Sequence, residues 1–205
     1  MARPKEFDHR EVLNRATALF WTRGYDATSI EDLVEATGIN RGSIYGTFGD
    51  KENFFHTVLE HYTETVANAM LAELSDPDPR RAIERMFDFI IRRTSDSKLP
   101  RGCLITNTSL GCRNRGDEIS RSIEKCFGRV EGAINSVMRR AQAQGLVASS
   151  REAKALGRFF FCVVQGLNVL NKAAVEPEVL RDMAKVAMRV WRDTGAIEHR
   201  NVRTR

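Results

Sequence analysis

Residues 41–48, Arg41-Gly42-Ser43-Ile44-Tyr45-Gly46-Thr47-Phe48, gather one guanidinium, three hydroxyls and two glycines into roughly two helical turns. A guanidinium can take both acceptors of a guanine edge, and hydroxyls reach base edges or phosphate oxygens. Each glycine weakens a free-standing helix by ~1 kcal/mol relative to alanine. Keeping both Gly42 and Gly46 points to a surface that must come close. Lys51 then sets an amine at the start of the next helix. The helix dipole disfavours it there, whereas a phosphate would favour it.

Two other groups could carry chemistry. Cys103, in Arg101-Gly102-Cys103-Leu104-Ile105-Thr106-Asn107, stands at a predicted helix start beside an arginine, and both features stabilise thiolate, the reactive form. Cys112 lies nine residues further on, roughly 13 Å away and half a turn out of phase, so an intramolecular disulfide would require unwinding. None of the four cysteines is in a C-x-x-C pair, and reduced thiol is the expected state. His56 and His61 flank Glu60, but a five-residue gap does not put both imidazoles on one helix face. No glycine-rich phosphate loop or nucleophile elbow is present. Neither an enzyme nor a metal or cofactor site is expected.

These residues need a frame, and helical periodicity supplies it throughout. The spacing predicts nine helices, near 7–23, 28–36, 41–47, 51–74, 80–94, 103–113, 117–144, 152–173 and 177–193. Thr28-x-x-Glu31 has capping-box spacing. Gly38 breaks the chain between the second and third helices, which read as a helix-turn-helix. Leu33, Val34, Ile39, Ile44 and Phe48 form the small core that sets their angle, so Arg41, Ser43, Tyr45 and Thr47 point outward. Pro77 and Pro79 mark a further boundary.

Charge does not decide the matter. The 205-residue chain carries +5, compatible with a polyanionic partner, yet residues 1–51 hold seven basic and eight acidic side chains. The placement of charge matters more than its total. No run approaches the ~20 apolar residues of a membrane span, and the amino terminus leads into charge rather than an apolar signal region. No membrane partner is expected, and the expected location is cytoplasmic.

The run from Leu19 to Val34, followed by Gly38 to Lys51, closely resembles the amino-terminal domain of the TetR (tetracycline-repressor-like) family. The resemblance implies an all-α chain. Residues 1–51 would form a three-helix helix-turn-helix DNA-binding domain, and residues 52–205 a helical ligand-binding and dimerisation domain. It implies that Thr28, Tyr45 and Lys51 hold phosphates, that Arg41, Gly42, Ser43 and Thr47 face the major groove, and that Arg3 and Lys5 form an arm reaching backbone or minor groove. It further implies double-stranded operator DNA as partner, a homodimer, and a small-molecule effector bound among helices four to eight. Phe87, Phe89, Ile90, Ile91, Cys103, Leu104, Phe127, Ile134, Phe159 and Val163 are the expected lining.

One short recognition helix reads only a few base pairs, so two copies on a two-fold site are expected. Phe159-Phe160-Phe161-Cys162-Val163-Val164 is apolar all round and must be covered on every side. Gly157 and Gly166 permit close helix approach. We expect Phe160, Val164 and Leu167 of the eighth helix, with Met183, Ala187, Val190 and Trp191 of the ninth, to build the dimer interface. The expected function is a repressor that leaves a palindromic operator when an effector binds. The alternatives are a thiol-based redox or electrophile sensor using Cys103, and an activator.

Overall fold

A computed structural model of the chain describes residues 7–111, 117–147 and 152–196, with the backbone alone at 117 and 190–196. Arg3, Lys5 and Cys112 lie outside the described residues, as do the side chains of Val190 and Trp191. Among the described residues all regular structure is helical. The elements are α1 (His9–Arg23), α2 (Ile30–Thr37), α3 (Arg41–Phe48), α4 (51–73), α5 (Pro79–Thr94), α6 (Leu104–Gly111), α7 (Asp117–Ala143), α8 (Ala153–Lys172) and α9 (Pro177–Ala196). α4 is one continuous run of α-helix Lys51–Tyr62, a π turn Thr63–Ala67 and α-helix Asn68–Glu73. Thr63 and Thr65 donate their hydroxyls back to the carbonyls of Leu59 and His61 within that run, a competition that disturbs regular helical bonding.

The capping box of α2 is one residue later than expected. Ser29, not Thr28, is the N-cap, and Asp32 rather than Glu31 closes the box. The Ser29 hydroxyl accepts from Asp32 N–H at 3.0 Å, and Asp32 Oδ2 accepts from Ser29 N–H at 2.8 Å. Both pairs have the required spacing, and burial of Thr28 (1% exposed) decides between them.

Two hydrophobic cores divide the molecule. One gathers Val12, Phe20, Leu33, Ile44 and Phe48 from α1–α3 with Phe54, Phe55 and Leu59 of α4, Leu104 and Ile105 of α6, and Ile119, Ile123 and Cys126 of α7. The other joins the end of α4 and α5 to Val130, Ile134 and Met138 of α7 and to α8 and α9. The expected division at 51/52 therefore does not separate two cores, because α4, α6 and the first half of α7 complete the amino-terminal one.

α8 is long and apolar enough to cross a membrane by length and composition, which a search for uninterrupted apolar runs missed. A core helix of a bundle passes the same test, and α8 packs on α6, α7, α5 and α9. Its contact with α7 is close at Gly157, where an added Cβ would overlap Asn135 Oδ1.

The rotation of α8 is the main correction to the expected interface. Phe160 (1% exposed), Val164 (1%) and Leu167 (0%) lie inside the subunit's own core. Ala187 of α9 is buried there too. The open stripe is instead Phe159, Cys162 and Val169, continued by Val179, Met183 and Val186 of α9. Gly166 lies in the same register, with open space where its Cβ would be. Of the expected interface residues with described side chains, only Met183 faces outward.

Candidate nucleic-acid interface and the cavity behind it

α3 is held at both ends by its own sequence. Asn40 Oδ1 accepts from Ser43 N–H at 2.8 Å, satisfying one of the free donors of a helix start. Gly49 (φ +80°) ends the helix, and Gly38 (φ +75°) ends α2 before it. Both are conformations that side-chain-bearing residues rarely adopt. Ile44 (0% exposed) and Phe48 (9%) anchor the inner face. The Phe48 ring stacks on Phe54 of α4 at a centroid distance of 4.0 Å.

The outer face carries Arg41, Gly42, Tyr45, Gly46 and Thr47, all exposed, with Ser43 half-buried at the edge. Tyr45 is 46% exposed, well beyond what a core tyrosine shows. Nothing lies near the position a Cβ would take at Gly46. Arg41 pairs with Glu31 of α2, so reading a base would require it to exchange that carboxylate for a base edge. The pair is exposed on both sides, and such pairs contribute only ~0–1 kcal/mol. The Lys51 ammonium lies 4.2 Å from the centroid of the Tyr25 ring. Thr28 is a correction: its hydroxyl is buried and donates to Gly24 O at 2.7 Å, so its side chain is not presented to a phosphate.

The histidines of α4 go separate ways, as their spacing requires. His61 Nε2 lies 2.8 Å from Asn14 Oδ1 of α1, while His56 faces Glu60 at 3.9 Å. Burial lowers the His61 pKa below its ordinary value, so the ring is held neutral.

Behind α1 and α4 lies a narrow cavity with ≈ 60 Å³ of free space. Its walls come from both cores: Trp21 of α1, Tyr62, Val66 and Met70 of α4, Phe89 and Arg93 of α5, Thr106 of α6, Phe127 of α7, and Gln165, Asn168 and Asn171 of α8. Its mostly apolar lining with a few convergent polar groups is the composition of small-molecule sites, and an organic ligand would have to widen it. The π turn of α4 forms part of the wall, and such turns occur often at functional sites.

Of the expected lining, Ile90, Cys103 and Phe127 are there, together with Phe89. Phe87 and Ile91 instead floor a cleft between α5 and α9. Leu104 and Ile134 are core residues, at 1% and 0% exposed. Phe159 turns outward, for the same rotational reason that took Phe160 and Val164 inward, Val163 is half-buried against the core, and Val164 lines the cavity. The sequence reading missed Trp21, Tyr62 and the three amides of α8. Gln165, Asn168 and Asn171, at three-residue steps in the second half of α8, were the available signal.

Cys103 sits at the head of α6, where its carbonyl accepts from Asn107 N–H at 2.8 Å. Its sulfur accepts a hydrogen bond from Tyr62 Oη at 3.3 Å. Burial holds the Tyr62 phenol well above its ordinary pKa, so it remains a donor. Cys126, also on the cavity wall, has its thiol pKa pushed up by burial.

Known proteins agree with this architecture. Residues 12–58 match the family model for bacterial regulatory proteins of the tetR family, and residues 79–187 match the tetracyclin repressor-like C-terminal domain. The HTH-type transcriptional repressor ComR of Escherichia coli (strain K12) is 29% identical over 191 residues, covering 92% of this chain and 91% of ComR. The uncharacterized regulator YezE of Bacillus subtilis (strain 168) is 30% identical over 192 residues, covering 93% of this chain and 99% of YezE. A solved structure of a cysteine-substituted variant of the TetR family regulator CifR, complexed with 26-bp double-strand operator DNA, superposes with a TM-score of 0.83 at 29% identity, covering 93% of this chain and 100% of that one. With one family model spanning more than half of its length and a relative aligned almost end to end, the chain belongs to the TetR family of bacterial transcriptional regulators.

Proposed function

We propose that the chain is a homodimeric repressor that grips a palindromic operator with two copies of α3 and lets go when a small molecule occupies the cavity. The observation that carries this reading is the position of the cavity. Its wall includes Trp21 of α1 and Tyr62 of α4, the two helices on which the α2–α3 unit is mounted. A ligand there presses on the base of the reading head. The likeness to an operator-bound CifR structure and to the repressor ComR supports the DNA and repressor parts. The apolar stripe of α8 and α9, with five large side chains between 37% and 59% exposed, supports the dimer. A two-fold pair would cover that stripe and set two copies of α3 about 34 Å apart, one turn of DNA.

Selected-oligonucleotide binding, followed by fluorescence anisotropy, tests the reading. Tyr45→Ala should weaken binding to every sequence, and Arg41→Ala should also relax base preference, by about 1–3 kcal/mol at one position. Unchanged affinity in both variants would remove α3 as the reading face. A reporter with the operator overlapping its promoter should be silenced by the chain; activation would reverse the sign.

The hydrogen bond from Tyr62 to Cys103 favours a second reading, in which the effector is a thiol-reactive electrophile or oxidant. That contact places the sulfur on the cavity wall, within reach of a reagent that enters it. Treatment with a quinone should then free the operator from the wild type and not from Cys103→Ser. Equal release from both would dismiss this reading.

A further inference from the structure

We infer that the cavity selects a small amphipathic carboxylate, an apolar body of aromatic size bearing one negative charge that Arg93 receives. The inference rests on the effector reading of the cavity and gives the ligand its chemical class. Arg93 is half-buried on the cavity wall. Its guanidinium lies 5.5 Å from the Trp21 ring centroid and 5.6 Å from that of Phe89. Among the described residues no carboxylate pairs with it. The other arginines of that stretch differ: Arg80 pairs with Glu84, Arg81 and Arg85 with Asp76, and Arg92 with Glu73. The nearest acid along the chain, Asp96, uses Oδ1 on Lys98 N–H at 2.9 Å.

A cation held between two ring faces keeps its planar fork of N–H donors open. That fork matches a carboxylate bidentately. The rest of the cavity tells what the carboxylate is attached to. Trp21, Phe89 and Phe127 supply aromatic wall for an apolar body. Asn168 and Asn171 are 8% and 6% exposed and also line it. Among the described residues no hydrogen bond reaches either side-chain amide. Their amide atoms are not sealed from solvent, so they open on the hollow, where a carbonyl or hydroxyl on the ligand has a place beside the ring. Gln165 is half committed, since its Oε1 accepts from Thr106 Oγ1 at 2.8 Å and only its NH2 is left to donate. A phosphate dianion fits less well, because one guanidinium among ring faces supplies too few donors for three charged oxygens.

The position of Arg93 also connects ligand to DNA. It touches the ring of Trp21, and Trp21 Nε1 donates to Arg101 O at 3.1 Å, joining α1 to the segment before α6. A carboxylate that draws the guanidinium toward itself changes the contact between α5 and the reading head.

The test uses calorimetric titration of the full chain with 3-phenylpropanoate and with 3-phenylpropanamide, the same body without the charge. Wild type should bind the acid at least about tenfold more tightly than the amide, the ratio expected from one charge-assisted pair. Arg93→Gln, checked for fold by circular dichroism and by retained operator binding, should erase that ratio while leaving the amide unchanged. The amide bound as tightly as the acid, a preference that survives Arg93→Gln, or no saturable binding of the acid at millimolar concentration would each overturn the inference. Operator release, followed in parallel, separates the two layers. An amide that binds equally and still frees the operator sinks the carboxylate and keeps the effector. An acid preferred as expected, with the operator still held, keeps the site and sinks the effector reading.

Discussion

α3 and α8 answer to the same rule of helical spacing, yet only α3 yields its orientation to it. In α3 two apolar side chains stand among polar ones, so there is one way to turn the helix. Ile44 and Phe48 go in, and Arg41, Tyr45 and Thr47 go out. In α8 six apolar residues follow one another from Phe159 to Val164, and spacing alone assigns no face. The neighbour decides. Gly157 is pressed against Asn135 of α7, and that contact puts Phe160, Val164 and Leu167, on the same side, into the core. In this helix Gly157 marks the packed face, whereas Gly166 falls on the open stripe, so it is the close contact and not the glycine alone that sets the rotation.

The sharpest way to break this comparison is to truncate the two adjacent rings. Phe160→Ala should cost about 3–5 kcal/mol of subunit stability, as for a large aromatic removed from a closed core. Phe159→Ala should cost far less in the subunit and act on the dimer instead, raising its dissociation constant. Denaturant melts at several protein concentrations separate the two effects, since only association depends on concentration. A Phe159→Ala chain as unstable as Phe160→Ala, with dimerisation intact, would mean that α8 is turned the other way.

The same contrast measures what was legible. Helix number, the turn at Gly38, the inner anchors Ile44 and Phe48 and the exposed position of Tyr45 were all readable, because each is fixed within a few residues of itself. The cavity was not, because its wall is assembled by Trp21, Tyr62, Arg93 and Asn168 from four helices far apart in sequence. No local pattern marks Trp21 as anything but a core residue of α1. Cys103 was legible as a helix-start thiol, but its partner Tyr62, forty-one residues away, was not. The cap of α2 failed for a local reason: Thr28/Glu31 and Ser29/Asp32 satisfy the same spacing, and burial chooses the second.

Gly46 sharpens the α3 side of the comparison with an effect of two signs. Alanine fits the free protein, since the space is open, and it should raise stability by up to ~1 kcal/mol. If operator backbone or base approaches that point, the same methyl should weaken operator binding by about tenfold, equivalent to 1.4 kcal/mol. Thermal melting and anisotropy on one Gly46→Ala preparation read both. A variant that is stabilised and binds normally would show that the glycine serves no close approach, and that the sequence argument from paired glycines was misplaced.

The smallest effect lies at the cap that the sequence misplaced. Hydrogen bonds from Ser29, first its backbone N–H and then its hydroxyl, hold the Asp32 carboxyl at about 2, below the ordinary 3.8. The Arg23 guanidinium adds to this at 2.6 Å. A carboxylate whose pKa is depressed on folding contributes stability that is complete above the unfolded value and is lost as pH falls toward the folded one. The advantage of wild type over Asp32→Asn should thus be constant at neutral pH and close as the pH falls from 3.8 toward about 2. Glu31→Gln is the comparison variant, because Glu31 takes no part in the box. If Glu31→Gln rather than Asp32→Asn carries the acid dependence, the cap belongs to Thr28 after all, and α2 starts one residue earlier than the structure has it.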